Sequence, residues 1–233
     1  MNLSSFYNTL ITNFSAADRI FDILDIKPII KNSHNAKEIG KIKGIVEFKN
    51  VYFSYDENNE VLKNVSFKVN KGEKIALVGA TGAGKTTIVS LLSRFYDPTS
   101  GEVLVDGKNI KNVDLESLRS QMGIMLQDTF LFSSTIMENI RYGRLDATDE
   151  EVIAAAKAVN AHDFIMKLEN GYETMVGDAG GKLSGGERQR ITIARAMLKK
   201  ADVIILDEAT AYADPESESI VQAAINKLIV GKT

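Results

Sequence analysis

Just after the first third of the chain, eight residues have the composition of a phosphate-binding loop. The segment Gly79–Thr86 follows an apolar run and precedes a stretch with helical spacing. Its three glycines let backbone N–H groups approach an anion without a Cβ in the way. The positive end of the following helix would point at the same anion, Lys85 would neutralise the β- and γ-phosphates, and the Thr86 hydroxyl would hold Mg²⁺. A glycine-rich turn without a ligand is the alternative, and the strand–loop–helix context favours a nucleoside triphosphate. The residues assigned to this site are Gly79, Ala80, Thr81, Gly82, Ala83, Gly84, Lys85, Thr86 and Thr87.

Two neighbouring carboxylates follow a second apolar run. Asp207 and Glu208 end the sequence VIILDE. A carboxylate at the tip of a buried strand can reach Mg²⁺ through a water, and the next residue can polarise the water that attacks the γ-phosphate. Phosphoryl transfer mainly needs positioning and charge neutralisation. A solvated strand end is the alternative, but beside a phosphate loop the pair predicts Asp207 at the metal and Glu208 as general base.

A second cluster with anion-binding character begins at Ser184. Ser184 and Glu187 form a capping-box pattern, which predicts a well-capped helix from Glu187 to Lys199. A serine hydroxyl, the N–H groups of Gly185 and Gly186 and a helix N-terminus also make an anion site. These residues leave open whether both phosphate sites touch the same nucleotide.

The elements that position these residues alternate between strands and helices. Alternating apolar and polar residues in 46–55 and 61–69 predict half-buried strands. The apolar runs 74–79 and 203–207 predict buried parallel strands. Helical spacing follows the phosphate loop, and residues 134–170 are mostly helical. This order predicts an α/β fold with a parallel sheet and a helical insertion.

Two further helix starts are marked by their sequence. Thr148 with Glu151 is a capping-box pattern before an alanine-rich stretch. Pro215 suits the first turn of a last helix that runs to about Ile229.

The first residues of the chain differ from the rest in the spacing of their apolar residues. Apolar residues recur at steps of three and four over 1–27, which predicts one helix that Pro28 stops. The polar, glycine-punctuated segment 31–44 predicts a linker. Two readings of the helix remain: it packs on its own domain, or it continues from a part of the protein outside this sequence.

The composition excludes several classes of protein to which the chain could belong. The chain has 233 residues, 28 Lys and Arg against 31 Asp and Glu, and 44% hydrophobic residues, which excludes a disordered chain and a sequence-wide basic nucleic-acid footprint. Cysteine is absent, which excludes disulfides, thiolate metal sites and cysteine nucleophiles. No run approaches the roughly 18 apolar residues of a membrane span, and no secretory signal is visible at the first residues.

Several motifs together resemble those of ATP-binding-cassette ATPases. Leu183–Arg190 resembles the signature motif, and Gly177–Gly180 resembles the loop before it in exporter-type members. Tyr55 matches the aromatic that stacks on adenine, Gln127 matches the Q-loop glutamine that assists at Mg²⁺ and in catalysis, and Asp214 matches the D-loop aspartate.

The resemblance covers residues 45–233 and implies a fold and a partner. The expected fold is a P-loop NTPase with a parallel core sheet, an N-terminal antiparallel β subdomain and a helical signature subdomain at about 128–186. In this family two cassettes dimerise head to tail, so that Ser184, Gly185 and Gly186 grip the nucleotide held by the other cassette. The two phosphate sites of one chain would then serve different ATP molecules.

The resemblance also implies a cellular role. It indicates a motor domain that couples ATP hydrolysis to transmembrane transport in an exporter-type half-transporter, on the cytoplasmic face of the cell membrane and without nucleic acid as partner. Residues 16–25 resemble the end of the last transmembrane helix, which makes residues 1–30 an extension from a membrane domain and 45–233 the ATP-binding domain. Two alternatives remain open: a module that binds ATP with little hydrolysis, and a soluble cassette ATPase acting on DNA or ribosomes.

Three departures from the family pattern stand out. The D-loop reads Ala211–Asp214 instead of Ser-Ala-Leu-Asp, and Met175 replaces a usual glutamate. The only histidines are His34 and His162, and neither is placed like the family's switch histidine.

A further expectation concerns the centre of the sheet. The family's strand that carries the switch histidine runs between the loop strand and the strand before Asp207, and here it would begin beyond Thr233. The resemblance therefore predicts an open slot between 74–79 and 203–207. It also predicts that residues 1–233 alone are poorly stable and hydrolyse ATP slowly.

Overall fold

The computed structural model describes residues 2–56, 59–126, 129–207 and 215–233, without the side chains of 215–217. Its contacts divide the chain into two units, Met1–Lys31 and Asn32–Thr233. The first unit is one helix, α1 (Leu3–Leu24), which confirms the predicted helix and ends it shortly before Pro28. None of the α1 side chains is buried, and Phe14 keeps 68% of its surface exposed. Within the described ranges, no helix combines the length and hydropathy that a membrane crossing requires.

The second unit begins with a four-stranded antiparallel sheet in the order β2-β1-β3-β4. The two strands that alternation predicted are confirmed as its antiparallel pair β1 and β2. Phe48 and Phe53 of β1 are both buried, although their odd spacing would place them on opposite faces of a regular strand. A register shift between Phe48 and Val51 brings them to the same side, with Asn50 at φ 46° inside the irregularity. The strands are β1 (Val46–Ser54), β2 (Glu60–Val69), β3 (Ser100–Val105) and β4 (Lys108–Asn109).

A second, parallel sheet consists of β5 (Met122–Met125) and β6 (Val203–Leu206), so the predicted strand at 203–207 is confirmed. The prediction of a buried strand at 74–79 is wrong in this structure, because the segment forms no ladder and Val78 is 92% exposed. A strand depends on neighbours that accept its hydrogen bonds, and within the described ranges no strand pairs with this segment. The apolar composition of this segment indicates a propensity for strand structure. The segment forms no strand because it has no neighbouring strand with which to pair in the described ranges.

Seven helices accompany the sheets of the second unit in the described ranges. Both predicted capping boxes are confirmed: Thr148 with Glu151 caps α5, and Ser184 with Glu187 caps α7. Pro215 is the first residue of the last helix, as predicted. The helices are α2 (Lys85–Leu92), α3 (Leu115–Ser120), α4 (Ile136–Arg141), α5 (Asp149–Ala158), α6 (His162–Ile165), α7 (Gly185–Lys199) and α8 (Pro215–Leu228).

Two apolar cores meet at β6. One core joins the antiparallel sheet and α2 to Val203 and Ile205, and the other joins α4, α5, α7 and α8, with Ile204 packed against it. The alternate side chains of β6 therefore face different cores, as in a parallel strand covered on both sides. The segment predicted as a linker also contributes to the first core, since Ile39 and Ile42 are each only 4% exposed.

Candidate nucleotide-binding site

The phosphate loop has the backbone that its glycines predict. Gly82 and Gly84 have φ angles of 82° and 89°, which residues other than glycine rarely adopt. A Cβ on Gly84 would also lie 2.6 Å from Leu62 Cδ2. Glycine is required here both by conformation and by the close approach of β2. Helix α2 starts at the next residue, Lys85, so its N-terminus opens onto the loop.

The Lys85 side chain folds back over this loop. Its ammonium donates hydrogen bonds to the carbonyl oxygens of Gly79 at 2.9 Å and Ala80 at 3.1 Å. Thr86 is exposed in the first turn of α2. The structure thus brings the lysine, the loop backbone and a hydroxyl together at one helix N-terminus, which is an arrangement suited to a phosphate group.

Tyr55, the residue predicted to stack on adenine, lies beside this helix. Its hydroxyl is 3.1 Å from the hydroxyl of Thr87, which is buried in α2. Its ring makes edge contacts with Phe53 at 4.8 Å and Tyr96 at 5.2 Å between centroids, and half of its surface remains exposed. The ring is held by its neighbours and still presents an open surface. The sequence did not predict Tyr96 as a member of this cluster.

Asp207 directly follows β6 in a buried position, with only 8% of its surface exposed. Its N–H donates to the Met125 carbonyl at 2.9 Å, which fixes the end of β6 against β5. Asp207 and Lys85 line one groove, a cavity of about 470 Å³ between the segment 73–77 and β6. The structure therefore brings the predicted metal carboxylate and the predicted phosphate lysine onto a common groove. The predicted site residues Gln127, Glu208 and Asp214 lie outside the described residues.

Ser184, Gly185 and Gly186 form a separate helix N-terminus. The Ser184 hydroxyl accepts from Glu187 N at 3.3 Å, and Ser184 N donates to a Glu187 carboxylate oxygen at 2.8 Å. The serine is exposed. None of these residues is among those that line the groove of Lys85 and Asp207.

A buried polar network that the sequence analysis missed lies between α4 and α7. Asn139 is fully buried, and its side chain bonds both backbone groups of Phe132 and the Thr135 carbonyl. Arg195 of α7 donates to the Asn139 carbonyl at 2.8 Å, to its side-chain oxygen at 2.9 Å and to the Phe130 carbonyl at 3.1 Å. Burial lowers the pKa of Arg195 to about 10. A single asparagine in a short helix that also carries Glu138 and Arg141 gives no signal from which this network could be predicted.

The donor set near the loop suits magnesium. The Thr86 hydroxyl and the Asp207 carboxylate are hard oxygen ligands of the kind that Mg²⁺ prefers. No group of three or more His, Cys, Asp or Glu side chains in the described ranges could hold a metal by itself. A Mg²⁺ ion at this place would therefore take further ligands from phosphates and water, as it does in nucleotide sites.

A phosphate loop that caps a helix, next to a parallel strand followed directly by a buried aspartate, defines a P-loop nucleotide-binding protein. Residues 62–211 match the family described as ABC transporter, and the chain belongs to that family.

Known relatives agree with this assignment. The chain is 47% identical over 231 residues to the ATP-dependent lipid A-core flippase of Syntrophus aciditrophicus, covering 99% of this chain and 38% of the flippase. It is 48% identical over 229 residues to ATP-binding cassette sub-family B member 6 of Rattus norvegicus, covering 98% of this chain and 27% of that protein.

A solved structure, of a bacterial Atm1-family ABC exporter with ATP bound, is also similar. It superposes with a TM-score of 0.87 at 41% identity, over 99% of this chain and 40% of the exporter chain. The chain thus spans well under half the length of these relatives.

Proposed function

We propose that this chain is the ATP-binding and ATP-hydrolysing motor of an exporter-type transporter. The observation that carries the proposal is the common groove of Lys85 and Asp207, which ends at the phosphate loop. Phosphate chemistry needs a cation and a metal-binding carboxylate in one place.

Each residue has a proposed role. Lys85 and the loop backbone hold the phosphates, Thr86 and Asp207 hold Mg²⁺, and Tyr55 stacks on the adenine. Magnesium would neutralise phosphate charge and polarise the γ-phosphate. Glu208 is the proposed general base, with Gln127 assisting at the metal and Asp214 near the nucleotide. Slow hydrolysis by residues 1–233 alone stays a prediction.

The partners are proposed from the family. A second ABC domain would pack so that Ser184, Gly185 and Gly186 reach its nucleotide, since exposed Ser184 and its helix N-terminus lie apart from the groove of Lys85. A transmembrane domain would be joined through residues 1–30, and the motor would then lie at the cytoplasmic face of a membrane. The relatives include a flippase and an ABC exporter, which supports this role.

Titration calorimetry with ATP and Mg²⁺ tests the binding step. Lys85→Ala should weaken ATP binding about 30-fold, because a charge-assisted contact contributes about 2 kcal/mol. Lys63→Ala, which removes a lysine with 71% side-chain exposure, is the matched control and should bind like the parent. Equal affinity of Lys85→Ala and the parent, with both proteins folded, would refute the assigned site.

A further inference from the structure

The ring of Tyr55 depends on neighbouring side chains for its orientation, because it stands just beyond the end of a strand. β1 ends at Ser54, and Tyr55 keeps 50% of its surface exposed. A half-exposed ring in such a place has several rotamers open to it, and stacking on a base selects one of them. A side chain that holds the ring in this orientation beforehand would strengthen base binding, because less freedom is then lost.

Tyr55 belongs to a cluster of three rings, together with Phe53 and Tyr96. The Tyr55 centroid is 4.8 Å from that of Phe53 and 5.2 Å from that of Tyr96, with interplanar angles of 87° and 89°. The centroids of Phe53 and Tyr96 are 5.6 Å apart, which completes the triangle. Edge-to-face pairs at these distances are a preferred arrangement of aromatic rings.

The hydroxyl contact of Tyr55 does not by itself fix the plane of its ring. The Tyr55 hydroxyl is 3.1 Å from the Thr87 hydroxyl, and the phenolic oxygen lies on the axis about which the ring turns. This contact therefore fixes where the ring points, whereas the plane that faces a base depends on the two neighbouring rings. Phe53 is buried in the core, while Tyr96 keeps 44% of its surface exposed, so the role of Tyr96 can be separated from folding.

The turn that carries Tyr96 is fixed to the end of α2. Phe95 N donates to the Ser90 carbonyl at 2.8 Å across Arg94, whose φ of 50° is the left-handed conformation of a Schellman motif. The Arg94 guanidinium is buried and donates to the Asp97 carboxylate at 3.1 Å. Tyr96 is thereby held at the end of the same helix that begins at the phosphate loop.

The same turn is also joined to the end of β1. Thr99 N donates to the Tyr52 carbonyl at 2.9 Å, and Ser54 N donates to the Thr99 hydroxyl at 3.2 Å. Tyr96 is therefore held between α2 and β1, and its ring contact passes this fixed position on to Tyr55.

We propose that Tyr96 is a positioning residue for nucleotide binding, which holds the Tyr55 ring in the plane that stacks on adenine. The inference rests on the proposed function and adds a residue to it. Tyr96 would act on the base alone, because the phosphates bind at the loop and Lys85. Loss of the Tyr96 ring should therefore weaken the binding of ATP and leave the binding of a phosphate chain without a base unchanged.

Titration calorimetry of the whole chain with Mg²⁺ and either ATP or inorganic tripolyphosphate separates these two contributions. Tyr96→Leu removes the ring and should weaken ATP binding about fivefold, with tripolyphosphate binding unchanged. Tyr96→Phe keeps the ring and should bind both ligands like the parent. Tyr142→Leu is the matched control, because Tyr142 is another half-exposed tyrosine and stacks on Phe132 at 4.2 Å; it should bind both ligands like the parent.

A double-mutant cycle tests whether Tyr96 acts through Tyr55. Tyr55→Leu should weaken ATP binding about tenfold, since it removes the stacking ring itself. Adding Tyr96→Leu should then cause no further loss, because the ring that Tyr96 positions is already absent. Two independent contributions would instead multiply to about fiftyfold.

The outcomes separate this inference from the proposed function. A parent chain that binds neither ligand would overturn both. With ATP and tripolyphosphate bound by the parent, unchanged ATP affinity of Tyr96→Leu, equal weakening of both ligands, or multiplying effects in the cycle would overturn the role of Tyr96 alone. If Tyr96→Leu does not fold, Tyr96→Met is the second variant and should show the same difference between the ligands. Failure of both variants to fold would assign Tyr96 to the stability of the fold and overturn the proposal.

Discussion

Replacing Asn139 tests whether the polar network between α4 and α7 stabilises the fold, because this one small side chain bonds to several neighbouring groups. Asn139→Ala removes the acceptor of Phe132 N at 2.8 Å and of an Arg195 N–H at 2.9 Å, and the donor to the Phe132 and Thr135 carbonyls at 3.0 and 2.9 Å. The two carbonyls keep backbone donors, Ser134 N and Asn139 N, so Phe132 N and the Arg195 N–H are the groups that lose this partner. Each buried group left without a partner costs about 1–3 kcal/mol. Water entering the small cavity can satisfy some of them, so we expect a net loss of about 3 kcal/mol.

Urea unfolding followed by circular dichroism measures this loss. With a slope of about 2 kcal/mol per molar urea, the midpoint should fall by about 1.5 M. Asn226→Ala is the matched control: Asn226 is an exposed helical asparagine whose side chain accepts a hydrogen bond from exposed Gln222 at 3.3 Å. It should change stability by no more than about 0.5 kcal/mol. A loss below about 1 kcal/mol for Asn139→Ala would refute the view that this network holds α4 and α7 together.

Three further changes test other parts of the chain. Gly84→Ala should lower the melting temperature more than Gly107→Ala does. Both glycines have positive φ, but of the two only Gly84 would bring a Cβ to 2.6 Å from another side chain. Equal melting temperatures of the two variants would contradict this. In a longer transporter that contains this chain, Glu208→Gln should keep ATP binding and lose most phosphate release, since an amide cannot accept the water's proton; parental turnover would exclude the assigned base. Burial raises the pKa of Tyr172 to about 12 from an ordinary 10, so the folded state holds a proton that the unfolded state releases between these values, and stability should fall as pH rises from 10 to 12. Tyr172→Phe should flatten that fall in thermal melts, and an unchanged slope would show that the shift is absent.

The sequence was most informative where structure is local. The phosphate loop and the two capping boxes depend on residues within a few positions of each other, and the structure has them where the motifs predict. Glycine positions in the loop follow from φ angles that only glycine adopts easily. These features could be predicted because neighbouring residues alone decide them.

Features that depend on distant residues escaped prediction. The run 74–79 has the composition of a buried strand, yet strand formation needs a partner elsewhere in the chain, and the segment lacks one in the described ranges. The network of Asn139 and Arg195 joins residues 56 positions apart, and the contact of Tyr55 with Thr87 joins residues 32 apart. The periodicity of apolar residues does not predict that residues so far apart in the sequence are in contact.

The position of the Lys85 ammonium has an energetic consequence for any anion that enters the loop. Its two carbonyl acceptors, on Gly79 and Ala80, already replace part of its hydration shell. An incoming phosphate would therefore exchange oxygen partners with the loop instead of stripping water from a free cation, and the two carbonyls would need new donors as the lysine turned away. The free energy of phosphate binding would therefore depend on both sets of contacts. The contacts of Lys85 in the ligand-free loop would count against binding, and its contacts with the phosphate would count in favour.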